Sequence, residues 1–290
     1  MTDGSSQGLF VIVAVVIFGI FVLISYVLFR DNLKTSLANI FTDGLVQATN
    51  SLKDKGVPAD LEENSIFKFD ETTGSVEGFI DGYSHDSSEL IIPQKINGVL
   101  VRNISPEAFF NETFTDVILP EGLENIGNLA FYKSNVTDLN IPDSVREIGS
   151  GAFQCSEIKT LDLGNGVVNI MYGAFYKSNV TDLKIPDTVR EIGISSFGKI
   201  KKLTLGNGVE FIGEKAFYGL ETADDLIIPD SVRVICANAF GKSKAKKLIL
   251  SKNIETIVGY AFGEVDLTNL LDKSDYKNLK SVGIHNPIFK

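Results

Sequence analysis

Tryptophan is absent from this 290-residue chain, and cysteine and histidine each occur only twice. The two cysteines, Cys155 and Cys236, are too few for a framework of disulfide bonds. The two histidines, His85 and His285, are 200 residues apart, whereas a zinc site needs three or four clustered nitrogen and sulfur ligands. The composition therefore argues against a disulfide-stapled domain and against a zinc site.

The sequence also lacks the short motifs of common catalytic and nucleotide-binding sites. It has no glycine-rich phosphate-binding string, no paired-histidine metalloprotease string, no Cys-x-x-Cys pair and no Gly-x-Ser-x-Gly nucleophile. We therefore predict that the protein is not an enzyme and that it uses no cofactor or metal.

Basic residues are in the minority, with 27 lysines and arginines against 37 acidic residues. The formal net charge is −10 and the sequence pI is near 4.8. An acidic chain is repelled by phosphate backbones and by anionic lipids, so we exclude a general affinity for nucleic acid.

The first 30 residues contain one long apolar run, Leu9–Phe29, which has 21 residues and no charge. As a helix it would be about 32 Å long, close to the roughly 30 Å thickness of a bilayer's hydrocarbon core. No basic segment precedes it, which argues against a cleaved signal peptide. We predict a single transmembrane helix.

The sequence indicates the orientation of this helix less clearly than its presence. Arg30 and Lys34 directly follow it, so the positive-inside rule would place the rest of the chain in the cytoplasm. That bias involves only two residues, and long domains translocate largely regardless of such charges.

Residues 31–64 are predicted to form a helical stalk and a linker. Apolar residues recur at steps of three and four from Asp31 to Lys53, as in an amphipathic helix. This helix either packs against its own head domain or pairs with copies of itself, which would make the protein a homo-oligomer. Asp54–Asn64 combines glycine, proline and charge, as linkers do.

An internal repeat organises the remainder of the chain. The string AFYKSNVTDL occurs at Ala130–Leu139 and again at Ala174–Leu183, 44 residues later. A small residue followed by phenylalanine recurs with successive spacings of 22, 22, 22, 22, 20, 23 and 22 residues. These phenylalanines are Phe109, Phe131, Phe153, Phe175, Phe197, Phe217, Phe240 and Phe262.

The repeating unit reads L-x-[IL]-[PG]-x-x-V-x-x-I-x-x-x-A-F, and its spacings predict a coil. The two apolar residues of L-x-[IL] point to one face of a strand, and proline or glycine then turns the chain. The valine, isoleucine and phenylalanine supply further inward side chains. Stacked coils should place each phenylalanine over the next and bury a core that no single unit could bury alone.

These units resemble the leucine-rich repeats of the BspA type, found in cell-surface proteins of bacteria and some protists. The resemblance covers Tyr83 to about Gly263. Glu89–Phe109 is similar to the family's opening unit, and Ile141–Phe153 is similar to its middle unit. It implies a right-handed solenoid with one β-strand per coil and a role in adhesion. It also favours an extracellular location for the solenoid, against the two-residue charge bias.

We therefore expect five segments. Residues 1–30 carry the polar N-terminus and membrane helix, and residues 31–64 carry the stalk and linker. Residues 65–88 form a cap, because Phe67–Phe79 alternates around a Thr-Gly-Ser turn as β-hairpins do. Residues 89–263 form the repeats, and the more polar residues 264–290 form a C-terminal cap that shields the last coil.

Two smaller features are interpreted as structural. Cys155 and Cys236 lie four coils apart, about 19 Å at a strand spacing of about 4.8 Å, so we expect two buried free thiols rather than a disulfide. Four Asn-x-Ser/Thr strings begin at Asn103, Asn111, Asn135 and Asn179. We interpret these asparagines as turn residues rather than as glycosylation acceptors.

The candidate functional surface is the strand face, which consists of two columns of side chains that we expect to face solvent. The inner column lies between the two buried positions of L-x-[IL] and contains Ile91, Ile118, Asn140, Asp162, Lys184, Thr204, Ile227 and Ile249. The outer column lies two residues earlier and contains Glu89, Asp116, Asp138, Thr160, Asp182, Lys202, Asp225 and Lys247. Solenoids bind partners through such extended surfaces.

Two functions are compatible with these features. The first is a membrane-anchored cell-surface protein whose solenoid binds a protein or glycan. The second is a structural subunit of a surface assembly, because a hydrophobic helix that continues into an amphipathic one resembles the build of type IV pilin-like proteins. That family has a basic leader and normally glutamate at the fifth mature position, whereas Val13 occupies that position here.

Overall fold

The computed structural model describes residues 66–84, 88–263, 265, 271–283 and 288–289. All of these belong to the second of two units into which the chain divides, Glu63–Lys290. In the part of the chain so described, no helix is long and apolar enough to cross a bilayer. The predicted span Leu9–Phe29 and the predicted stalk and linker, residues 31–64, lie outside the described residues.

The described residues form a β-solenoid of eight coils with a hairpin at its start. Each coil carries two short strands, whereas the resemblance implied one. The hairpin consists of β1 (Phe67–Asp70) and β2 (Ser75–Phe79), and coil 1 adds a short antiparallel pair, β4 (Lys95–Ile96) and β5 (Val99–Leu100).

The first strand of each coil belongs to the strand face. These strands are β3 (Glu89–Ile91), β7 (Asp116–Ile118), β9 (Asp138–Asn140), β11 (Thr160–Asp162), β13 (Asp182–Lys184), β15 (Lys202–Thr204), β17 (Leu226–Ile227) and β19 (Leu248–Ile249).

The second strand of each coil contains the isoleucine of the V-x-x-I step. These strands are β6 (Asn103–Ile104), β8 (Asn125–Ile126), β10 (Glu147–Ile148), β12 (Asn169–Ile170), β14 (Glu191–Ile192), β16 (Phe211–Ile212), β18 (Val234–Ile235) and β20 (Thr256–Ile257). Together with β1, β2 and β21 (Ser281–Val282) they form an eleven-stranded sheet, which we call the long sheet. All its pairings are parallel except that of the hairpin.

Both ends of the long sheet are covered by the flanking segments. The hairpin predicted for Phe67–Phe79 is present, and β2 pairs in parallel with β6 of coil 1. At the other end, β21 pairs with β20. The coil pattern therefore continues to Gly283, beyond the end at Gly263 that we had expected, and Ile288 is fully buried after it.

The core is a stack of the repeated phenylalanines, as predicted. From Phe109 to Phe262 each ring stacks on the next, with centroids 5.1–5.6 Å apart and interplanar angles of 3–20°. These rings are 0–3% exposed. Parallel-offset packing is favourable for aromatic rings at this separation, so each coil provides the surface on which the next one packs.

The turn before each phenylalanine adopts a left-handed backbone conformation that the sequence did not reveal. Two residues before each phenylalanine, φ lies between 52° and 62°. Glycine occupies only two of these positions, and the residues are Glu107, Leu129, Gly151, Gly173, Ser195, Lys215, Asn238 and Tyr260. For the non-glycine residues this costs roughly 1–2 kcal/mol each.

Hydrogen bonds to the next coil offset this cost. The backbone N–H of Leu129 donates to the carbonyl of Ser150 at 2.9 Å, and that of Phe131 donates to Ala152 at 2.7 Å. The left-handed residue thus directs two amides along the solenoid axis. Because the neighbouring coil imposes this turn, the residue type at the position can vary.

The 44-residue sequence period has a structural cause. Coils 3, 5 and 7 carry Ile-Pro-Asp after the first strand, and each bonds to the coil that follows it. The Oδ1 atoms of Asp143, Asp187 and Asp230 accept the backbone N–H groups of Asn165, Asn207 and Lys252 at 2.6, 2.7 and 2.8 Å.

The strand face is interrupted at two of the boundaries between these pairs of coils. β13 pairs only with β15 and β17 only with β19, while β11 ends a four-stranded sheet, β11-β9-β7-β3. The long sheet, by contrast, runs through every coil. The strand-face ladder is thus interrupted after coil 4 and after coil 6, at the boundaries between coil pairs.

Replacement of a stacked phenylalanine should strongly destabilise the solenoid. We expect Phe175→Ala to lower the free energy of unfolding by roughly 3–5 kcal/mol, as buried aromatic truncations do. Chemical denaturation of the variant measures this loss. Tyr172→Ala, at a side chain that is 58% exposed, is the control and should change stability by less than about 1 kcal/mol. An unchanged midpoint for Phe175→Ala would contradict the stacked core.

The tight contact within a coil pair gives a second prediction. A Cβ atom added at Gly166 would lie 1.8 Å from the carbonyl oxygen of Asp143, so Gly166→Ala must push two coils apart. We expect a loss of about 3 kcal/mol, as in overpacked cores. The neighbouring Asn165→Ala keeps the backbone bond to Asp143 and should cost less than about 1 kcal/mol. Equal losses in thermal or chemical denaturation would contradict the close approach.

Candidate functional site

The strand face is exposed along the solenoid, as the spacing predicted. In coil 3, Leu139 and Ile141 are buried, whereas Asp138 and Asn140 on either side of Leu139 are exposed. Every residue of the inner column is exposed. In the outer column only Asp225 is partly buried. The described structure thus places all the candidate residues on one surface.

Apolar side chains occupy the two ends of the inner column. Ile91 and Ile118 lie opposite each other in the pairing of β3 with β7, and they are 49% and 50% exposed. Ile227 and Ile249 lie opposite each other in the pairing of β17 with β19, and they are 57% and 41% exposed. Each pair leaves hydrocarbon in contact with water, which marks a candidate contact surface.

The middle of the inner column is polar and charged. Asn140, Asp162, Lys184 and Thr204 occupy coils 3 to 6 in that order. In the outer column beside them, the Lys202 Nζ atom lies 3.6 Å from Asp182 Oδ2. Both side chains are more than half exposed, so this ion pair contributes little to stability and leaves the groups available to a partner.

Threonine hydroxyl groups keep Asp138 ionised. The hydroxyl of Thr160, its register partner on β11, lowers the pKa of Asp138 below its ordinary value of 3.8, and the hydroxyl of Thr137 lowers it further. The Thr137 hydroxyl donates to Asp138 Oδ2 at 2.8 Å. Lys159 adds a smaller electrostatic attraction. The strand face therefore keeps this negative charge at acidic pH.

The long sheet presents a second exposed surface that sequence reasoning did not single out. Several of its charged side chains pair with one another between coils. Arg102 pairs with Glu124, and the Arg190 Nε atom lies 3.8 Å from Glu210 Oε1. The signal was present, because arginine and glutamate alternate between coils just after the first apolar residue of V-x-x-I, except in coil 4, where Val168 occupies the position.

The strongest of these networks lies at the end of the long sheet. Glu255 accepts hydrogen bonds from Lys280 Nζ at 2.5 Å and from Arg233 Nη1 at 2.9 Å. The bond from Lys280 and then the one from Arg233 hold the pKa of Glu255 below its ordinary value of 4.5. Since these charges satisfy each other within the chain, the long sheet is a weaker candidate for partner binding than the strand face.

The cysteines are free, as predicted, but both are only partly buried. Burial raises the pKa of the Cys236 thiol, and the nearby carboxylates of Glu214 and Glu191 raise it further. Cys155 lies in a turn with a φ of 61°. The expectation of two buried thiols was wrong, because Cys155 lies in a turn and Cys236 directly follows β18, and each side chain is partly exposed there.

The asparagines of the four Asn-x-Ser/Thr strings differ in their settings. Asn103 lies in β6 rather than in a turn, and its Nδ2 group donates to the Thr73 carbonyl at 2.9 Å. Asn111 adopts a left-handed turn conformation, with a φ of 62°. Asn135 and Asn179 are exposed. The interpretation as turn residues is therefore wrong for Asn103.

The described residues contain no group of three or more histidine, cysteine, aspartate or glutamate side chains that could hold a metal ion. His85 and His285 lie outside the described residues. What the described surface offers chemically is an exposed array of apolar, acidic and basic side chains on a regular scaffold.

Comparison with known proteins identifies the repeat type. A family model described as the BspA type leucine-rich repeat region matches the chain in six copies, over residues 83–204 and 195–285. No curated protein matches the sequence.

Several solved structures are similar to this chain, including the following two. A leucine-rich repeat protein from Bacteroides ovatus superposes with a TM-score of 0.59 at 20% identity, over 72% of this chain and 58% of that one. The pneumococcal vaccine antigen PcpA superposes with a TM-score of 0.44 at 20% identity, over 72% of this chain and 62% of that one. The likeness to the Bacteroides ovatus protein shows a shared solenoid fold. The matched segments span less than two thirds of either protein.

The hydroxyl contacts of Asp138 lead to a test by titration. We expect Thr160→Val to raise the pKa of Asp138 toward 3.8, because it removes the largest stabilisation of the carboxylate. Since the folded-state pKa is depressed, the contribution of Asp138 to stability is present above about pH 4 and is lost as the pH falls through the folded-state value. Carboxyl-carbon NMR of Asp138 measures the shift. Thr204→Val, on coil 6, is the control and should leave that titration unchanged.

Proposed function

Because the chain belongs to the BspA-type leucine-rich repeat family, we propose that it is a membrane-anchored cell-surface protein whose solenoid binds a protein or glycan partner. The anchor is the apolar segment Leu9–Phe29, and a single pass of the membrane leaves the solenoid outside the cell. Binding is the function, and catalysis is not.

The observation that carries this proposal is the strand face. It combines exposed isoleucines with exposed acidic and basic side chains on strands held in fixed register. Such an arrangement offers apolar contact area and directional charges with little loss of conformational freedom on binding. On the long sheet, by contrast, Arg102, Arg190 and Arg233 form ion pairs with glutamates of the next coil.

The solenoid is suited to holding a binding surface in a fixed shape rather than to conformational change. Backbone hydrogen bonds link the coils on the strand face, in the long sheet and at the phenylalanine turns. A partner therefore meets a preorganised surface, and binding does not have to order it.

Labelling of intact cells tests the location. Cells that carry the full chain are treated with a membrane-impermeant, amine-reactive biotin reagent before and after lysis. We expect lysines of the solenoid, such as the exposed Lys133 and Lys184, to be labelled in intact cells as strongly as in lysed cells. A cytoplasmic protein in the same cells is the control and should be labelled only after lysis. Labelling of the solenoid only after lysis would contradict the proposed function.

A further inference from the structure

The strand face is complementary to itself when its direction is reversed. Along the inner column the chemistry runs apolar, apolar, polar, acidic, basic, polar, apolar, apolar from coil 1 to coil 8. Read from the other end, apolar positions meet apolar ones, polar positions meet polar ones, and the acidic position meets the basic one. Ile91 corresponds to Ile249, Ile118 to Ile227, and Asp162 to Lys184.

We propose that the partner of the strand face is a second copy of this chain, packed antiparallel across a two-fold axis. The axis runs parallel to the strands and passes between coils 4 and 5. Such an axis places coil 1 over coil 8 of the second copy. It also places the inner column over the inner column of the second copy, and the outer column over the outer column. This is an isologous contact, in which the same surface is used by both copies.

The outer column obeys the same symmetry at two of its four levels. Glu89 meets Lys247, and Asp138 meets Lys202, so two opposite-charge pairs form on each side of the axis. Thr160 meets Asp182, which is a contact between an uncharged and an acidic side chain. Asp116 meets Asp225, which is a like-charge contact and opposes association at that one level.

The two-fold axis passes through an interruption of the strand-face ladder. β11 and β13, which carry Asp162 and Lys184, belong to different sheets, and the strand-face ladder is interrupted between them. The centre of the contact is therefore a boundary between coil pairs. Two such boundaries exist on the strand face, and only the one after coil 4 leaves equal numbers of coils on both sides.

The size of the face predicts a weak contact. Eight coils at about 4.8 Å spacing give a strip about 34 Å long, and three-residue strands make it about 10 Å wide. The strip covers about 340 Å² on each copy, less than the roughly 800 Å² per partner of a standard stable interface. Many copies on one surface would be needed for firm attachment, through multivalency.

This pairing deepens the proposed function, because it names the partner. It rests on the proposed function for the location of the contact, at the cell surface. In an antiparallel pair the first coils of the two copies lie at opposite ends. Copies attached to facing surfaces through segments that precede coil 1 can meet in this way. The proposed adhesion is then homophilic, between two copies of one chain.

Two complementary variants test the pairing. The first carries Ile91→Asp and Ile118→Asp, and the second carries Ile227→Lys and Ile249→Lys; all four side chains are exposed, so folding should be retained. In the antiparallel pair, each variant alone places charges against isoleucines at both ends. In a pair formed by one copy of each variant, the two aspartates of the first variant face the two lysines of the second. At the other end of that pair, isoleucines face isoleucines.

The measurement is sedimentation velocity of the full chain in detergent, at high protein concentration. We expect each variant alone to associate at least about tenfold more weakly than the wild type, and an equimolar mixture to recover association to within about threefold. Tyr172→Asp, away from the strand face, is the matched control and should associate like the wild type. Circular dichroism confirms that each variant is folded.

Other outcomes overturn the proposal. A wild type that remains monomeric at all concentrations excludes self-pairing. Variants that associate as strongly alone as the wild type place the contact elsewhere, for example in the segment before coil 1. Variants that stay apart on mixing exclude the antiparallel geometry. The result is independent of cell-surface labelling, so failure of the pairing and failure of the proposed location can be told apart.

Discussion

Hydrogen bonding between successive coils is the constraint on which the rest of this structure depends. A coil of about 22 residues makes few backbone bonds within itself, and its amides and carbonyls are satisfied mainly by the coils on either side. The stacked phenylalanines require the same spacing. A side chain therefore acquires a defined position only because the coils before and after it are in place, and this gives the strand face its fixed geometry.

The two surfaces of the solenoid use this scaffold differently. The long sheet is continuous, and several of its charges form ion pairs between coils, as with Arg233, Glu255 and Lys280. The strand face is interrupted, and the isoleucines at its ends and Asp162 and Lys184 in its middle are exposed to solvent. The first surface holds the solenoid together, and the second is the one available to a partner.

The repeated positions were the part of the structure that the sequence predicted well. The phenylalanine column and the exposed inner column follow directly from spacing, because buried and exposed positions alternate along a strand. The second strand of each coil was missed, because a two-residue strand such as Glu147–Ile148 is too short to show alternation. Its pairing depends on neighbours 22 residues away, which no local pattern reveals.

The backbone conformation of the turns and the position of the last strand could not be predicted from the sequence either. The left-handed conformation at Leu129 and Lys215 is imposed by bonds to the next coil, and neither residue favours it. The last strand, Ser281–Val282, follows a polar stretch that disguises the repeat.

The aspartate bond within the coil pairs 3–4, 5–6 and 7–8 has a consequence for how this gene can change length. A duplication or deletion of 22 residues would place two coils of the same type next to each other and leave one aspartate without its amide. A change of 44 residues preserves every such bond. Recombination should therefore lengthen or shorten this solenoid in steps of two coils, and the identical strings at Ala130–Leu139 and Ala174–Leu183 are the trace of one such step.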